Sequence, residues 1–295
     1  MTTPTQTAFL DDSIRPWSSL CSLRAGLGTA RVLEPADLAA LRAVIASCPQ
    51  PLRVLGRGTN VVGSDDDGLV VLRLPARGDF AAITKLEDGR FEVGAGIGLS
   101  RLLAALAKKG FGGAAALSGI PGALGGALAM NAGARGQEIA ANVLAMQGLD
   151  CRTGREWRWT EGEGGWGYRT SPIPPEVIVT QATLRFDQIR RTEELDRING
   201  ERARRRKVTP GRFSGGCVFR NPAPDLPAGR LLEQAGCKGM REGVFAVSEA
   251  HANWIVNASG APGAAADCRR LADRMVEAVA RRSGITLHSE WRWMT

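Results

Sequence analysis

The sequence predicts an α+β protein made of more than one compact unit. Three observations carry that reading. At 295 residues the chain exceeds what one hydrophobic core usefully covers. In its first half, short apolar segments of strand character are interleaved with amphipathic helical ones. In its last third, a second group of such strands leads into a long amphipathic helix. Hydrophobic residues at 44% and charged residues at 23% are ordinary globular proportions, so most of the chain is expected to fold.

Taken in order, Leu52–Leu55, Leu69–Leu74 and Phe91–Val93 read as strands, and Pro35–Ser47 and Leu99–Lys109 as helices. Pro35 suits an opening helical turn, while Leu99, Leu102, Leu103 and Leu106 form one apolar stripe closed by Gly110. Gly110–Ala134 carries no charge, but eight glycines and Pro121 make it a poor membrane span, and it reads as a buried glycine-rich loop entering a short helix. Asp150–Arg155 reads as a hairpin turn, and Ile178, Thr180, Ala182, Leu184 and Phe186 alternate onto one strand face. Thr192–Lys207 is charged and helical, the expected connection into a second unit. There Val244–Ser248 and Trp254–Asn257 read as strands and Ala264–Ser283 as a helix, with Cys268, Leu271, Met275 and Val279 on one face and Gly284 ending it.

Composition narrows the chemistry. Six cysteines without a C-x-x-C pair, and no basic-then-apolar N-terminus, point to a reducing cytoplasm. Two distant histidines, His251 and His288, offer no metal cluster, so no metal is expected. The formal charge of +8 suits an anionic ligand or nucleic acid. The basic run Arg202–Lys207, beside Glu193, Glu194 and Glu201, reads as a solvated helix face. The excess is in glycine, 37 residues, which suggests that loop backbone holds something.

Two segments concentrate it: Gly56-Arg57-Gly58-Thr59-Asn60 after a strand, and the stretch from Ser118 to Gly136 after a helix. Successive backbone N–H groups in such turns, and a helix beginning near Gly122, are suited to a diphosphate. Neither segment is a phosphate-binding loop of nucleoside triphosphatases or a G-x-G-x-x-G fingerprint. Taken alone, each reads as a tight turn before it reads as a cofactor site.

Their order with further motifs is more specific. Leu55-Gly-Arg-Gly-Thr-Asn60, Gly119-Ile-Pro-Gly122 through Asn131-Ala-Gly133, Gly167-Tyr-Arg-Thr-Ser171 and Gly216-Cys-Val-Phe-Arg-Asn-Pro222 come first. Ala228-Gly-Arg-Leu-Leu-Glu233, Ser248-Glu-Ala-His-Ala-Asn253 and Gly284-Ile-Thr-Leu-His-Ser-Glu290 follow. From about Ser22 to the C-terminus the chain resembles the UDP-N-acetylenolpyruvoylglucosamine reductase family, flavoenzymes of peptidoglycan precursor synthesis. The resemblance implies an FAD-binding region of the vanillyl-alcohol-oxidase (PCMH) type followed by a C-terminal α+β substrate-binding domain. Its expected limits are an N-terminal extension over 1–20, an FAD-binding region of two α+β lobes over 21–190, and a substrate domain over 191–295 whose last strand returns to the active site.

It further implies non-covalent FAD on Gly56, Arg57, Gly58, Thr59, Asn60, Ser118, Gly119, Ile120, Pro121, Gly122, Gly125, Gly126, Asn131 and Gly133. NADPH is the implied reductant, a UDP-sugar the substrate, and a cytoplasmic monomer, free of nucleic acid and membrane insertion, the implied form. After hydride addition to the enolpyruvyl double bond, Arg169 and Glu290 would steady the enolate and Cys217 would donate the proton. Tyr168, Arg205, Asn221 and Arg292 are the implied substrate contacts. The sequence departs from the family pattern at several places. Cys217 stands where Ser is frequent, Arg57 where a small residue is common, and Thr209 before Pro210 where Gln is usual. Trp254 and Trp291 are bulkier than expected. Tyr168 is the only tyrosine, which places the chain with the shorter class lacking a substrate-covering tyrosine loop. A flavin oxidase of the same fold and a basic nucleic-acid-binding protein stand as the alternative readings.

Overall fold

The computed structural model describes residues 9–49, 51–210 and 213–294, and the chain divides into two compact units. The first gathers the residues up to Ser13, Arg31–Gly56 and Val70–Arg206; the second gathers Ile14–Ala30, Arg57–Leu69 and Lys207–Thr295. These contact-based limits differ from a division at residue 191, because two early segments cluster with the C-terminal part. Of the segment read as an N-terminal extension, residues 1–8 lie outside the described residues, and the chain enters a sheet already at Phe9.

In the first unit, a four-stranded sheet has the order β1 (Phe9–Pro16), β2 (Thr29–Pro35), β5 (Leu69–Leu72), β3 (Leu52–Val54), with β3 and β5 parallel. Its helix α2 spans Leu38–Ser47, opened by Asp37, whose carboxylate accepts the Ala40 N–H at 2.8 Å. The helix therefore starts three residues after Pro35, which ends β2 instead of opening a helix: the Asp37 cap, not the proline, sets the boundary. Leu41, Val44 and Ile45 of α2 pack with Leu33, Val70, Leu72, Leu149 and Ile178.

A five-stranded antiparallel sheet carries the rest of this unit, in the order β12 (Glu156–Thr160), β11 (Val143–Asp150), β13 (Val177–Arg185), β7 (Arg90–Gly94), β6 (Ile83–Lys85). The expected alternation in β13 is broken. Gln147 pairs with Gln181 and Gly148 with Val179, so Thr180 is an extra residue that reverses the pleat. Val177 and Val179 thereby join Ala182, Leu184 and Phe186 in one cluster, while Ile178 packs into the other. The first of these clusters also takes Leu99, Leu102, Leu103 and Leu106 of α3 (Leu99–Lys108), the expected stripe, and Leu124 and Leu128 of α4 (Leu124–Ala129). The uncharged stretch is thus a 3-10 turn, Ala115–Gly119, followed by α4, and no helix among the described residues is long and apolar enough to cross a membrane. Helix α5, Arg191–Val208, inserts Ile198 and Glu194, whose carboxylate accepts the Gly113 N–H at 3.1 Å.

The second unit contains the sheet β15 (Ser214–Cys217), β18 (Trp254–Asn257), β17 (Phe245–Val247), β16 (Arg241–Glu242), all antiparallel. Helices α6 (Ala228–Gln234) and α7 (Ala265–Ser283) cover its core. Cys268, Leu271, Ala272, Met275 and Val279 form the buried stripe of α7, and Gly284 ends it in the left-handed conformation at φ 71°. Burying such a stripe stabilises by about 1.5–3 kcal/mol for each large aliphatic side chain. The C-terminal strand β19 (Arg292–Trp293) pairs in parallel with β4 (Val61–Val62). Asp65, beyond β4, accepts backbone N–H bonds from Leu27, Ala265 and Ala266, tying this loop to the start of α7.

Candidate active site

In the first unit the glycine-rich segment is fixed by buried polar side chains and has open space beside its backbone at Gly126. Asn131 is fully buried: its amide donates to Glu138 at 2.8 Å and to the Gly167 carbonyl at 2.9 Å, and its oxygen accepts the Ala140 N–H. Ser118 is equally buried, directing its hydroxyl to the Ile198 carbonyl of α5. Both side chains, of residues expected at the cofactor, have protein partners. The reason is burial, since a sequestered hydroxyl or amide must find partners inside the fold.

The backbone differs from expectation at the helix start as well. The first two amides of α4, Leu124 and Gly125, donate to the carbonyls of Ile97 and Ala95, whereas the sequence reading assigns the helix start to a diphosphate. At Gly126 a Cβ would meet nothing within 4 Å, and one placed on Gly56 would reach the Gly126 Cα at 3.9 Å. These two backbones therefore approach each other beside open space. Ile120, Pro121 and Gly122 form the link between the 3-10 turn and α4. Gly119 serves Arg205 of α5, whose Cδ would lie 2.8 Å from a Cβ there.

Tyr168 and Arg169 occupy the tip of a tight turn closed by two backbone bonds between Gly167 and Thr170. Arg169 adopts φ 57°, which costs about 1–2 kcal/mol in a residue with a Cβ. Its guanidinium reaches the Gly133 carbonyl at 3.4 Å and lies 5.1 Å from the Tyr168 ring centroid. The Asn131 bond to Gly167 anchors the base of this turn, so the loop read as a cofactor site also holds a catalytic candidate.

In the second unit, the Arg57–Asn60 turn and the Cys217 strand are linked by Ser22. Its N–H donates to the Gly58 carbonyl at 2.9 Å and its hydroxyl to the Ser214 carbonyl at 2.6 Å. Gly58 is required at φ 64°, because a Cβ would overlap the Leu20 carbonyl oxygen. Asn60 donates its side-chain amide to the Glu290 carbonyl at 3.0 Å and accepts the Arg292 N–H at its own carbonyl. The turn expected to hold a phosphate thus also places the carboxylate candidate.

Cys217 owes its direction to a bulge. Ser214 pairs with Val256 and Cys217 with Trp254, three steps on β15 against two on β18. Ser214 and Cys217 consequently share a face, opposite the buried Ile255, and the half-buried thiol points away from the apolar core that receives Val218. After Cys217, Val218 donates to the Asn253 carbonyl, and the buried Asn253 amide brackets Phe219 with two bonds of 2.8 and 2.9 Å. The Glu290 N–H donates to the Val218 carbonyl at 2.7 Å, which sets the carboxylate residue beside the thiol's strand. Asn221 accepts the Ala228 N–H at the start of α6, and Arg292 is exposed on β19 beside Asn60.

Each unit therefore assembles its own share of the sequence candidates: Arg169, Tyr168, Asn131, Gly133, Ser118, Gly119 and Arg205 in the first, Thr59, Asn60, Cys217, Asn221, Glu290 and Arg292 in the second. The basic run is largely engaged. Arg202 donates to the Ser100 carbonyl at 2.8 Å, Arg204 pairs with Glu201, and Arg205 covers Gly119. Sequence reasoning gave no role to Ser22 or to Asn253, the latter present only within a motif; the signal of each is a polar residue in a segment otherwise destined for burial, and the Gly215–Gly216 bulge was left unread.

Two family models match the chain: an FAD binding domain over residues 29–159, and the UDP-N-acetylenolpyruvoylglucosamine reductase C-terminal domain over 209–294. The UDP-N-acetylenolpyruvoylglucosamine reductase of Geobacter sulfurreducens is 38% identical over 263 residues, covering 87% of this chain and 84% of that one. Its counterpart from Geobacter metallireducens is 38% identical over 283 residues, 94% and 91% of the two chains. The crystal structure of the UDP-N-acetylenolpyruvylglucosamine reductase of Thermus caldophilus superposes with a TM-score of 0.81 at 33% identity, over 97% of this chain and 99% of that one. By sequence and by fold along nearly its whole length, the chain belongs to the UDP-N-acetylenolpyruvoylglucosamine reductase family.

Proposed function

We propose that this chain is a flavoenzyme that uses NADPH and non-covalently held FAD to reduce UDP-N-acetylglucosamine enolpyruvate to UDP-N-acetylmuramate. The reaction belongs to cytoplasmic peptidoglycan precursor synthesis, and so to cell-wall biogenesis, cell shape and division; the working form is a monomer. Membership of the family, with an FAD binding domain and the family's C-terminal domain both matched, is the observation that carries the reading.

The residues fit the cofactor. Open space beside Gly56 and Gly126 gives backbone access to an extended anionic ligand, Arg57 adds an exposed cation, and neither loop offers Cys or His for a covalent link. FAD, when bound, supplies the capacity to take a hydride from NADPH and pass it to a carbon–carbon double bond. Arg169, permanently charged, would hold the enolpyruvyl carboxylate and the negative charge that grows on it. Glu290, as a neutral or proton-sharing acid, would steady the same oxygen atoms. The Cys217 thiol would release its proton to the carbon next to the carboxylate, completing addition of hydride and proton across the double bond. An ordinary thiol titrates near ~8.5, so it is protonated at neutral pH yet a far better acid than an alcohol. Tyr168, Arg205, Asn221 and Arg292 are the proposed substrate contacts.

Visible spectroscopy under anaerobic conditions tests the proposal. The purified protein is expected to be yellow, to bleach on NADPH, and to recover its colour on adding the enolpyruvyl nucleotide sugar. Protein that takes up no flavin contradicts it, and so does flavin that is reoxidised only by oxygen, with peroxide formed, as in an oxidase.

A further inference from the structure

Trp291, bulkier than the family pattern leads one to expect, grips the strand that carries Cys217. Its indole N–H donates to the Gly215 carbonyl at 2.9 Å, and its ring lies so close that a Cβ on Gly215 would stand 3.0 Å from it. Trp291 is 3% exposed and belongs to the apolar core of the second unit. Gly215 and Gly216 are the two residues of the bulge that faces the single residue Ile255, and Gly216 needs φ 80° to make it. The indole therefore meets the bulge from the core side, while Cys217 lies on the other face.

The neighbouring residue completes the grip. Glu290 donates its N–H to Val218, one residue after the thiol, and Trp291 donates its side chain to Gly215, two residues before it. Two consecutive residues thus bracket Cys217 at both ends. A slip of one residue in either strand would turn the thiol to the wrong face, because strand side chains alternate. The residue is held in its turn: the Trp291 backbone N–H donates to the Ser289 hydroxyl at 3.1 Å, and the Trp291 ring lies 6.3 Å, centroid to centroid, from that of Trp293, on which Arg269 stacks at 3.6 Å.

From this bracket we infer that Trp291 is a positioning residue, which fixes the bulge through Gly215 so that the Cys217 thiol and the Glu290 carboxylate stay in register. The inference deepens the proposed proton-donor role of Cys217 and rests on that reading for its kinetic consequence, but the positioning itself is read out on the thiol alone.

The test uses the flavin-loaded full chain with Trp291→Phe, which keeps a buried ring and deletes the N–H. Iodoacetamide alkylation of Cys217, followed on its own peptide by mass spectrometry across pH 6 to 10, reports both access and thiol titration. The variant is expected to alkylate about threefold or more faster, with a displaced pH midpoint, while its flavin bleaches with NADPH at the wild-type rate. Reoxidation by the enolpyruvyl sugar is expected to slow about tenfold, the order produced by loss of one buried hydrogen bond at a positioned group. Gly215→Ala attacks the same contact from the strand side, so it should move the same readouts, and the double variant should fall well short of the summed effects. If both variants keep the wild-type alkylation profile, the positioning role is wrong, whatever the enzyme's substrate. If alkylation shifts as expected but the wild-type flavin is never reoxidised by the sugar, Trp291 positions the thiol and the proposed reaction is what fails.

Discussion

The two units prepare their candidate residues by opposite means. In the first, buried side chains such as Asn131 and Ser118 fix the loops on either side of α4, and that helix presents Gly126 to open space. In the second, backbone pairing and one bulge are spent on aiming side chains, Cys217 from β15 and Glu290 from the segment before β19. The difference matches the role proposed for each. A long anionic cofactor is well served by successive amides without steric bulk, whereas proton delivery needs one acidic atom in one place.

The comparison breaks most easily at Arg169, the one charged catalytic candidate carried on the loop side. Arg169→Ala should slow flavin reoxidation by the enolpyruvyl sugar about a hundredfold or more, with NADPH bleaching little changed. Asn131→Ala leaves that guanidinium in place and frees the base of its turn. It should cost about 1–3 kcal/mol of stability through the stranded partners at Gly167, Glu138 and Ala140, and slow the same step about tenfold. Thermal melting and stopped-flow reoxidation on one preparation separate the two. An Asn131→Ala protein that reacts at the wild-type rate would show that the turn holds itself.

A smaller effect sharpens the other side. Burial pushes the Asp65 carboxyl up, but N–H donors from Ala266, Ala265 and Leu27 more than reverse this and leave it below the ordinary carboxylate range. A group depressed in the folded state contributes its stability above its unfolded pKa, near ~3.9, and loses it as pH falls through the folded value. Asp65 is exposed, so solvent screening reduces the gain, and Asp65→Asn should cost about 1 kcal/mol at pH 7. The difference in melting temperature between the two proteins should shrink below about pH 4. A gap that persists unchanged at pH 2 would mean that the carboxylate charge is not what caps α7.

Much of the fold was legible because its signals are local. The stripes of α3 and α7 and the Gly284 stop depend on spacing alone, and the structure has them where spacing puts them. The single face expected of β13 was not, since the bulge at Thr180 arises from pairing with β11 and leaves no mark within the strand. Pro35 misled for a related reason: proline is as much at home at a strand's end as in a first helical turn, and only the Asp37 cap decides. At the site, the motifs drew attention to Cys217, Glu290 and Arg169, but side-chain roles inside the motifs were less readable. Asn131 and Ser118 sit in a loop that looked built for a ligand, and burial turns their polar groups inward. Asn60 looked like a phosphate residue, and its amide binds a backbone carbonyl 230 positions away.

We propose that backbone holds the flavin while an aimed thiol finishes the reaction. Anaerobic stopped-flow mixing of NADPH-reduced Cys217→Ala protein with the enolpyruvyl nucleotide sugar tests it most directly. The account predicts normal flavin content and normal bleaching, recovery of colour slowed at least ~100-fold, and substantial restoration in Cys217→Ser. Recovery of the alanine variant at the wild-type rate would contradict it.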